Sequence, residues 1–369
     1  MVAGNTSAPL TSGGEVSIKS GSASNINQAR GGQINILSGD GRSGPGGDIH
    51  ISVGQGDGTL DGGGVEVRAG DAAGKASGGR VTVRGGDSTG EDAVVGGAVD
   101  IIGGSTTFNT GGWVTILSGK SDDSTSGSIL IRTANAGRRG RSGDIILQTG
   151  TASSGQAGEV IISTGEGSID ASGDIIISVG TASSGPGGDI LLRAGDTKGA
   201  DEPGGDILVV GGNGLNDGEG GDIIIRAGNG EGRTGGFVSI VSGLGEVSTS
   251  GDILIRTSNA GLNGQSGSVT LETGTSSSGV SGPINIRTGD AIGDDSGSVS
   301  ISAGATTAGK GGSIVLSAGR SNDGFAGIGG DFFVESGAGL TTGKIVLRTH
   351  NAQLSGESGS FTIRTGTAA

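Results

Sequence analysis

One short unit recurs from end to end of this chain: Gly/Ser-Gly-x, then apolar-x-apolar-x, a small residue and a glycine. It reads Gly31-Gly32-Gln33-Ile34-Asn35-Ile36-Leu37-Ser38-Gly39 early on and Ser172-Gly173-Asp174-Ile175-Ile176-Ile177-Ser178-Val179-Gly180 in the middle. Near the end it reads Ser358-Gly359-Ser360-Phe361-Thr362-Ile363-Arg364-Thr365-Gly366. There are 23 such repeats, their first apolar residues running from Val16 to Phe361 at a mean interval of about 15.7 residues. A chain rich in glycine and serine is otherwise a candidate for disorder, but a disordered chain keeps no such period.

Within each repeat, apolar residues alternate with others over about five positions. They are isoleucine, valine and leucine, which suit a pleated surface, and glycine and serine on both sides mark turns. No stretch has the 3.6-residue period of a helix. The pattern predicts an all-β chain with little or no helix. Each strand is too small to bury a core alone and must stack on its neighbours, which is the logic of a solenoid.

From Ile129 onward the intervals between first apolar positions vary singly from 13 to 18 but sum in pairs to 30–33. A longer block, Thr110 to Gly158, recurs as Thr234 to Gly282, and part of it again at Ile345 to Ala352, the shifts being even numbers of repeats. Two strands per turn is the reading: an elongated, flattened parallel β-solenoid (β-helix) of about 31 residues per turn. With strands about 4.8 Å apart, 12 rungs make a rod of roughly 55 Å. The expected organisation is an unpatterned N-terminal segment, 1–12, and one continuous solenoid, 13–369, uncapped at the C-terminus. The final Thr365-Gly366-Thr367-Ala368-Ala369 matches the opening of the loop Thr149-Gly150-Thr151-Ala152-Ser153 and breaks off partway. That suggests a segment of a longer array, or rods that stack end to end.

Two strands per turn imply two different faces. The even-numbered strands place Leu130, Ile161, Leu191, Ile224 and Leu254 at the middle outward position. The next outward position holds Arg132, Arg193, Arg226, Arg256, Arg287 and Arg348, while Asp189, Asp222 and Asp252 open strands on the same face. A second copy turned half a revolution would set arginines over acids and aliphatics over aliphatics, an isologous contact. This face is the predicted association surface.

Composition narrows the function. Glycine supplies 87 of 369 residues but proline only 5, which excludes collagen. The absence of cysteine excludes a disulfide framework and thiolate metal sites. No apolar run is long enough to span a membrane, and Met1-Val2-Ala3-Gly4-Asn5 lacks the features of a signal peptide. A net charge of −14 disfavours nucleic acid and anionic lipid. Two histidines, His50 and His350, have no sequence neighbours for a catalytic triad.

Several motifs resolve into structure rather than chemistry. Gly39-x-Gly41-x-x-Gly44 fits a dinucleotide fingerprint but lacks its βαβ setting. Asp144, Glu159, Asp174, Asp189, Asp206 and Asp222 open successive strands but lack the spacing of calcium-binding glycine-rich repeats. They read as turn residues, so neither cofactor nor metal is expected. Trp113 and Phe237, at equivalent places of the long block, read as covers for glycine backbone rather than sugar platforms.

The Gly-Gly-Asp-Ile-x-Leu-x-x-Gly units and Thr-Ala-Ser-Ser-Gly loops, as in Gly187–Gly195 after Thr181–Gly185, resemble Gly/Ser/Thr-rich β-solenoid arrays in secreted or cell-surface proteins of algae and some bacteria. The resemblance implies an extracellular fibrous or adhesive role and no catalytic residues. The expectation is therefore a non-enzymatic structural protein, a rigid rod or subunit of an extracellular fibre, coat or adhesin. Its partners would be further copies of itself, with extracellular glycans as the other partner class. An ice- or surface-binding solenoid is one alternative, although the outward rows lack regular threonines. A polysaccharide-active β-helix is the second, although no aromatic and acidic groove is apparent.

Overall fold

The computed structural model describes residues 3, 13–24, 30–57, 59–89, 95–169, 171–323, 327–352 and 356–366. The predicted segment 1–12, Ala3 apart, and the extreme C-terminal residues 367–369 lie outside them. The chain divides into two units, Met1–Thr181 and Ala182–Ala369.

The expected all-β solenoid is not what forms. Among the described residues there is neither strand nor helix, and no hydrogen-bonded ladder joins one aliphatic triplet to the next. The 31-residue turn, the two strands per turn and the 55 Å rod fall with it. Nor is there a core: no described residue is buried. The accessible surface is 37897 Å², against about 13,000 Å² for a compact chain of this mass. Two inward aliphatics in every sixteen or so residues are too little apolar area to offset the conformational entropy of ordering the loops between them. Among the described residues, no helix is long and apolar enough to cross a membrane.

What does form is a series of closed loops. In the first unit the glycine before a triplet donates its N–H to the carbonyl of the glycine after the preceding triplet: Gly32 to Gly21, Gly47 to Gly39, Gly63 to Gly54, Gly79 to Gly70, Gly97 to Gly86, Gly112 to Gly104 and Gly127 to Gly119. In the second unit the same bond joins Gly205 to Gly195, Gly221 to Gly212, Gly236 to Gly228, Gly251 to Gly243, Gly312 to Gly304, Gly330 to Gly319 and Gly343 to Gly337. Distances run from 2.8 to 3.4 Å. Glycine is needed where the two arms of a loop meet: a Cβ at Gly85 would strike the Gly97 carbonyl oxygen, and one at Gly103 the Gly112 carbonyl oxygen.

Closure follows the residue just ahead of the loop, valine excepted. Ser20, Ser38, Ala69, Gly85, Gly103, Ser118, Ala194, Gly211, Ala227, Ser242, Ala303, Ala318 and Ser336 all precede a closure. Thr133, Thr149, Thr164, Thr257, Thr273, Thr288 and Thr349 precede none. Loop length is not the cause, since Gly119 to Gly127 and Gly150 to Gly158 span the same number of residues. The threonine γ-methyl faces the far arm of the open loop: Thr149 Cγ2 lies 3.6 Å, and Thr164 Cγ2 3.7 Å, from where a Cβ on the facing glycine would sit. Valine goes either way, Val53 preceding a 3.2 Å closure and Val179 none.

Candidate interaction surface

The aliphatic triplets keep the two-sidedness their alternation implies, without a sheet to stand on. Ile175, Ile176 and Ile177 are 52%, 81% and 67% exposed, and the aliphatic triplets from Ile129 to Ile225 follow the same order, with the first residue most covered and the middle one least. The alternation therefore fixes which side chains share a side, while the backbone leaves both sides open to solvent.

Each predicted association residue is exposed. Leu130, Ile161, Leu191, Ile224 and Leu254 are between 75% and 84% exposed. No sheet gathers them into stacked rows, so the expected ladder of like charges does not arise. The arginines instead sort, Arg287 excepted, by what lies three residues on. Arg193 pairs with Asp196 of its own loop, as Arg68 does with Asp71 and Arg84 with Asp87, at 2.5 to 2.7 Å. Where asparagine takes that place, at Asn135, Asn229, Asn259 and Asn351, Arg132, Arg226, Arg256 and Arg348 form no ion pair among the described residues. Arg287 forms none either, although Asp290 follows it. Asp189, Asp222 and Asp252 are exposed and, among the described residues, unpaired at the openings of their triplets.

The predicted face leaves out part of the apolar surface. Ile146, Ile176 and Leu208, from the alternate repeats, are as exposed as the residues chosen, at 75%, 81% and 85%. From Ile129 to Ile225 each triplet has an aliphatic middle residue, whereas earlier triplets hold Ser17, Asn35, His50, Glu66, Thr82, Asp100 and Thr115 there. The signal was the run of three consecutive aliphatics, which marks a segment apolar on both sides rather than one.

Charge is uneven in a way the net value conceals. In the first unit, Arg132, Arg138, Arg139 and Arg141 fall within ten residues, and the next acid, Asp144, is held by Arg141 at 2.9 Å. Arg138 and Arg139 occupy the centre of a turn in which Gly140 donates to the Gly137 carbonyl at 3.3 Å. Arg132, Thr133, Ala134 and Asn135 line a hollow of about 380 Å³ at the mouth of the same unclosed loop. In the second unit, Asp201, Glu202, Asp206, Asp217, Glu219 and Asp222 follow one another with no lysine or arginine between them. Here lie the non-glycine residues with positive φ, Asp201 at 63°, Asn216 at 53° and Asp217 at 68°. Gly218 donates to the Leu215 carbonyl at 3.2 Å, so Asn216 and Asp217 form the tip of a turn with both central residues left-handed.

No group of three or more acidic or histidine side chains converges as a metal site among the described residues. No protein-family model, curated protein or solved structure matches this chain.

Proposed function

We propose that this chain is a structural repeat protein, a subunit of an extracellular fibre, coat or adhesin, which assembles with further copies of itself and carries out no reaction. The observation that carries this reading is the exposure of the aliphatic triplets in both units, none of whose large apolar residues is less than 45% exposed. Apolar surface on this scale marks an interaction surface. It recurs at a mean interval of about 15.7 residues, and a second copy is the partner that carries the same succession of intervals. The resemblance to Gly/Ser/Thr-rich surface arrays supports a place outside the cell.

Sedimentation velocity and negative-stain microscopy over a dilution series test the proposal. Particle size should grow with protein concentration, and Leu191→Glu or Leu254→Glu should weaken that growth by placing a charge on the apolar row. A chain that stays monomeric at every concentration overturns the reading. So does release of sugars from a polysaccharide panel, or inhibition of ice recrystallisation by the monomer.

A further inference from the structure

The geometry points to a specific contact between copies: the basic turn of the first unit, Gly137 to Gly140, docks on the acidic turn Leu215 to Gly218 of a second copy. This rests on the self-assembly proposed above and adds a charged contact to the apolar one.

The two turns are opposite in charge, and of the two only the acidic one has left-handed central residues. Each is a four-residue turn closed by one backbone hydrogen bond, Gly140 to Gly137 or Gly218 to Leu215. One projects two adjacent arginines, Arg138 and Arg139, both exposed and free of ion pairs among the described residues. The other presents Asp217 at its tip and Glu219 just beyond, likewise exposed and unpaired. The surroundings reinforce the match. Arg132 stands open at the mouth of the basic loop, beside a hollow that Asn135 and Thr133 line with neutral polar groups. Asp206 and Asp222 flank the acidic turn in sequence, with no base nearer than Lys198 and Arg226. Arginine is suited to this task because its planar fork takes a carboxylate through two parallel hydrogen bonds.

A contact between two different surfaces of identical chains is heterologous. Each copy that docks through its basic turn leaves its acidic turn free for the next, so growth is open-ended unless the rotation closes a ring. Where the rotation closes no ring the contact yields a fibre, and its exposed charges make assembly sensitive to salt.

Four full-length samples test it by sedimentation velocity: the natural chain, Arg138→Glu with Arg139→Glu, Asp217→Arg with Glu219→Arg, and an equimolar mixture of the two double variants. The natural chain should form growing oligomers whose association weakens as salt rises to ~0.5 M, where the screening length falls to a few ångströms. Each double variant alone should associate at least about tenfold more weakly, as expected for removal of steering and pairing between opposed charges. The mixture should recover, because each reversed turn then meets a complementary one on the other variant. The substituted residues are exposed turn positions, so loss of fold does not imitate this pattern. Failure of the mixture to recover overturns the contact. So does association that ignores salt and both reversals, while leaving self-assembly through the apolar triplets intact. A natural chain that never associates overturns both. If the arginine variant instead loses binding to a sulfated polysaccharide while self-association is unchanged, the basic turn serves an external polyanion and the contact is again overturned.

Discussion

The block Thr110–Gly158 of the first unit and its counterpart Thr234–Gly282 of the second share a backbone scheme and differ in what they carry. Both close one loop through glycines, Gly127 to Gly119 at 2.8 Å and Gly251 to Gly243 at 3.0 Å. In both, a threonine, Thr133 or Thr257, precedes the next loop, which stays open, and that loop contains a turn held at 3.3 Å by Gly140 and Gly137 or by Gly264 and Gly261. Each has an exposed aromatic residue, Trp113 or Phe237, ahead of its first triplet. The turn tips are unlike: Arg138 and Arg139 in the first unit, Leu262 and Asn263 in the second. Beyond them Arg141 and Asp144 are replaced by Gln265 and Ser268. Glycine and the residue ahead of the loop set the path of the chain, and the tip is free to take on different chemistry. The protein thus places a basic turn in one unit only, although the scaffold for it exists in both.

Making the two turn tips alike should have the largest effect. Leu262→Arg with Asn263→Arg gives the second unit the basic turn of the first. If the tip chemistry is separable from the scaffold, each chain then has two docking turns, and self-association should tighten about fivefold at low salt and lose that gain at high salt, as electrostatic contacts do. The reciprocal change, Arg138→Leu with Arg139→Asn, should remove the salt dependence. Sedimentation at two ionic strengths reads both. An unchanged association constant in the first variant would mean that the scaffold around Gly137, and not its arginines, makes the difference.

Much of this organisation was visible in the residues themselves. The period, the loops, the glycines at their bases and the long block all follow from spacing. The sheet does not, because alternation states which side chains share a side but not whether neighbouring segments come within hydrogen-bonding distance. Segments of about five residues would form few ladder bonds for each loop that has to be closed. The loop-closure rule was missed because Thr133 and Ser118 both pass as the small residue ending a repeat, and only a γ-methyl separates them. The basic turn was missed for a different reason: a net charge of −14 averages away four arginines in ten residues. A local count of charge, repeat by repeat, finds both that cluster and the six acids from Asp201 to Asp222.

An effect of intermediate size is expected at Gly119–Gly127 and Gly150–Gly158, loops of equal span that differ in the residue ahead of them. Thr149→Ser should allow the Gly158 N–H to reach the Gly150 carbonyl, and Ser118→Thr should open the bond from Gly127 to Gly119. One backbone hydrogen bond is worth about 0.5–1.5 kcal/mol net. Amide exchange at Gly158 should therefore slow about fivefold in the first variant, and exchange at Gly127 should speed up by a similar factor in the second. Hydrogen exchange followed by NMR measures both amides. Equal exchange in natural and variant chains would show that the γ-methyl accompanies the open loop without causing it.

The smallest effect belongs to the arginines that are already satisfied. Arg193 and Asp196 are paired at 2.5 Å, but their side chains are 69% and 77% exposed. Exposed pairs of this kind contribute at most about 1 kcal/mol and usually less. Asp196→Asn makes this loop resemble those of Arg132 and Arg256, where asparagine already follows. The Gly205 to Gly195 closure does not involve the carboxylate, so its amide exchange should change less than about twofold. The freed arginine should nevertheless raise the affinity of the chain for a small carboxylate or sulfate probe, measured by NMR shift titration of the arginine side-chain N–H groups. If that titration matches the natural chain while Arg132 responds to the probe, then openness at Arg132 comes from its unclosed, threonine-led loop and not from the missing acid.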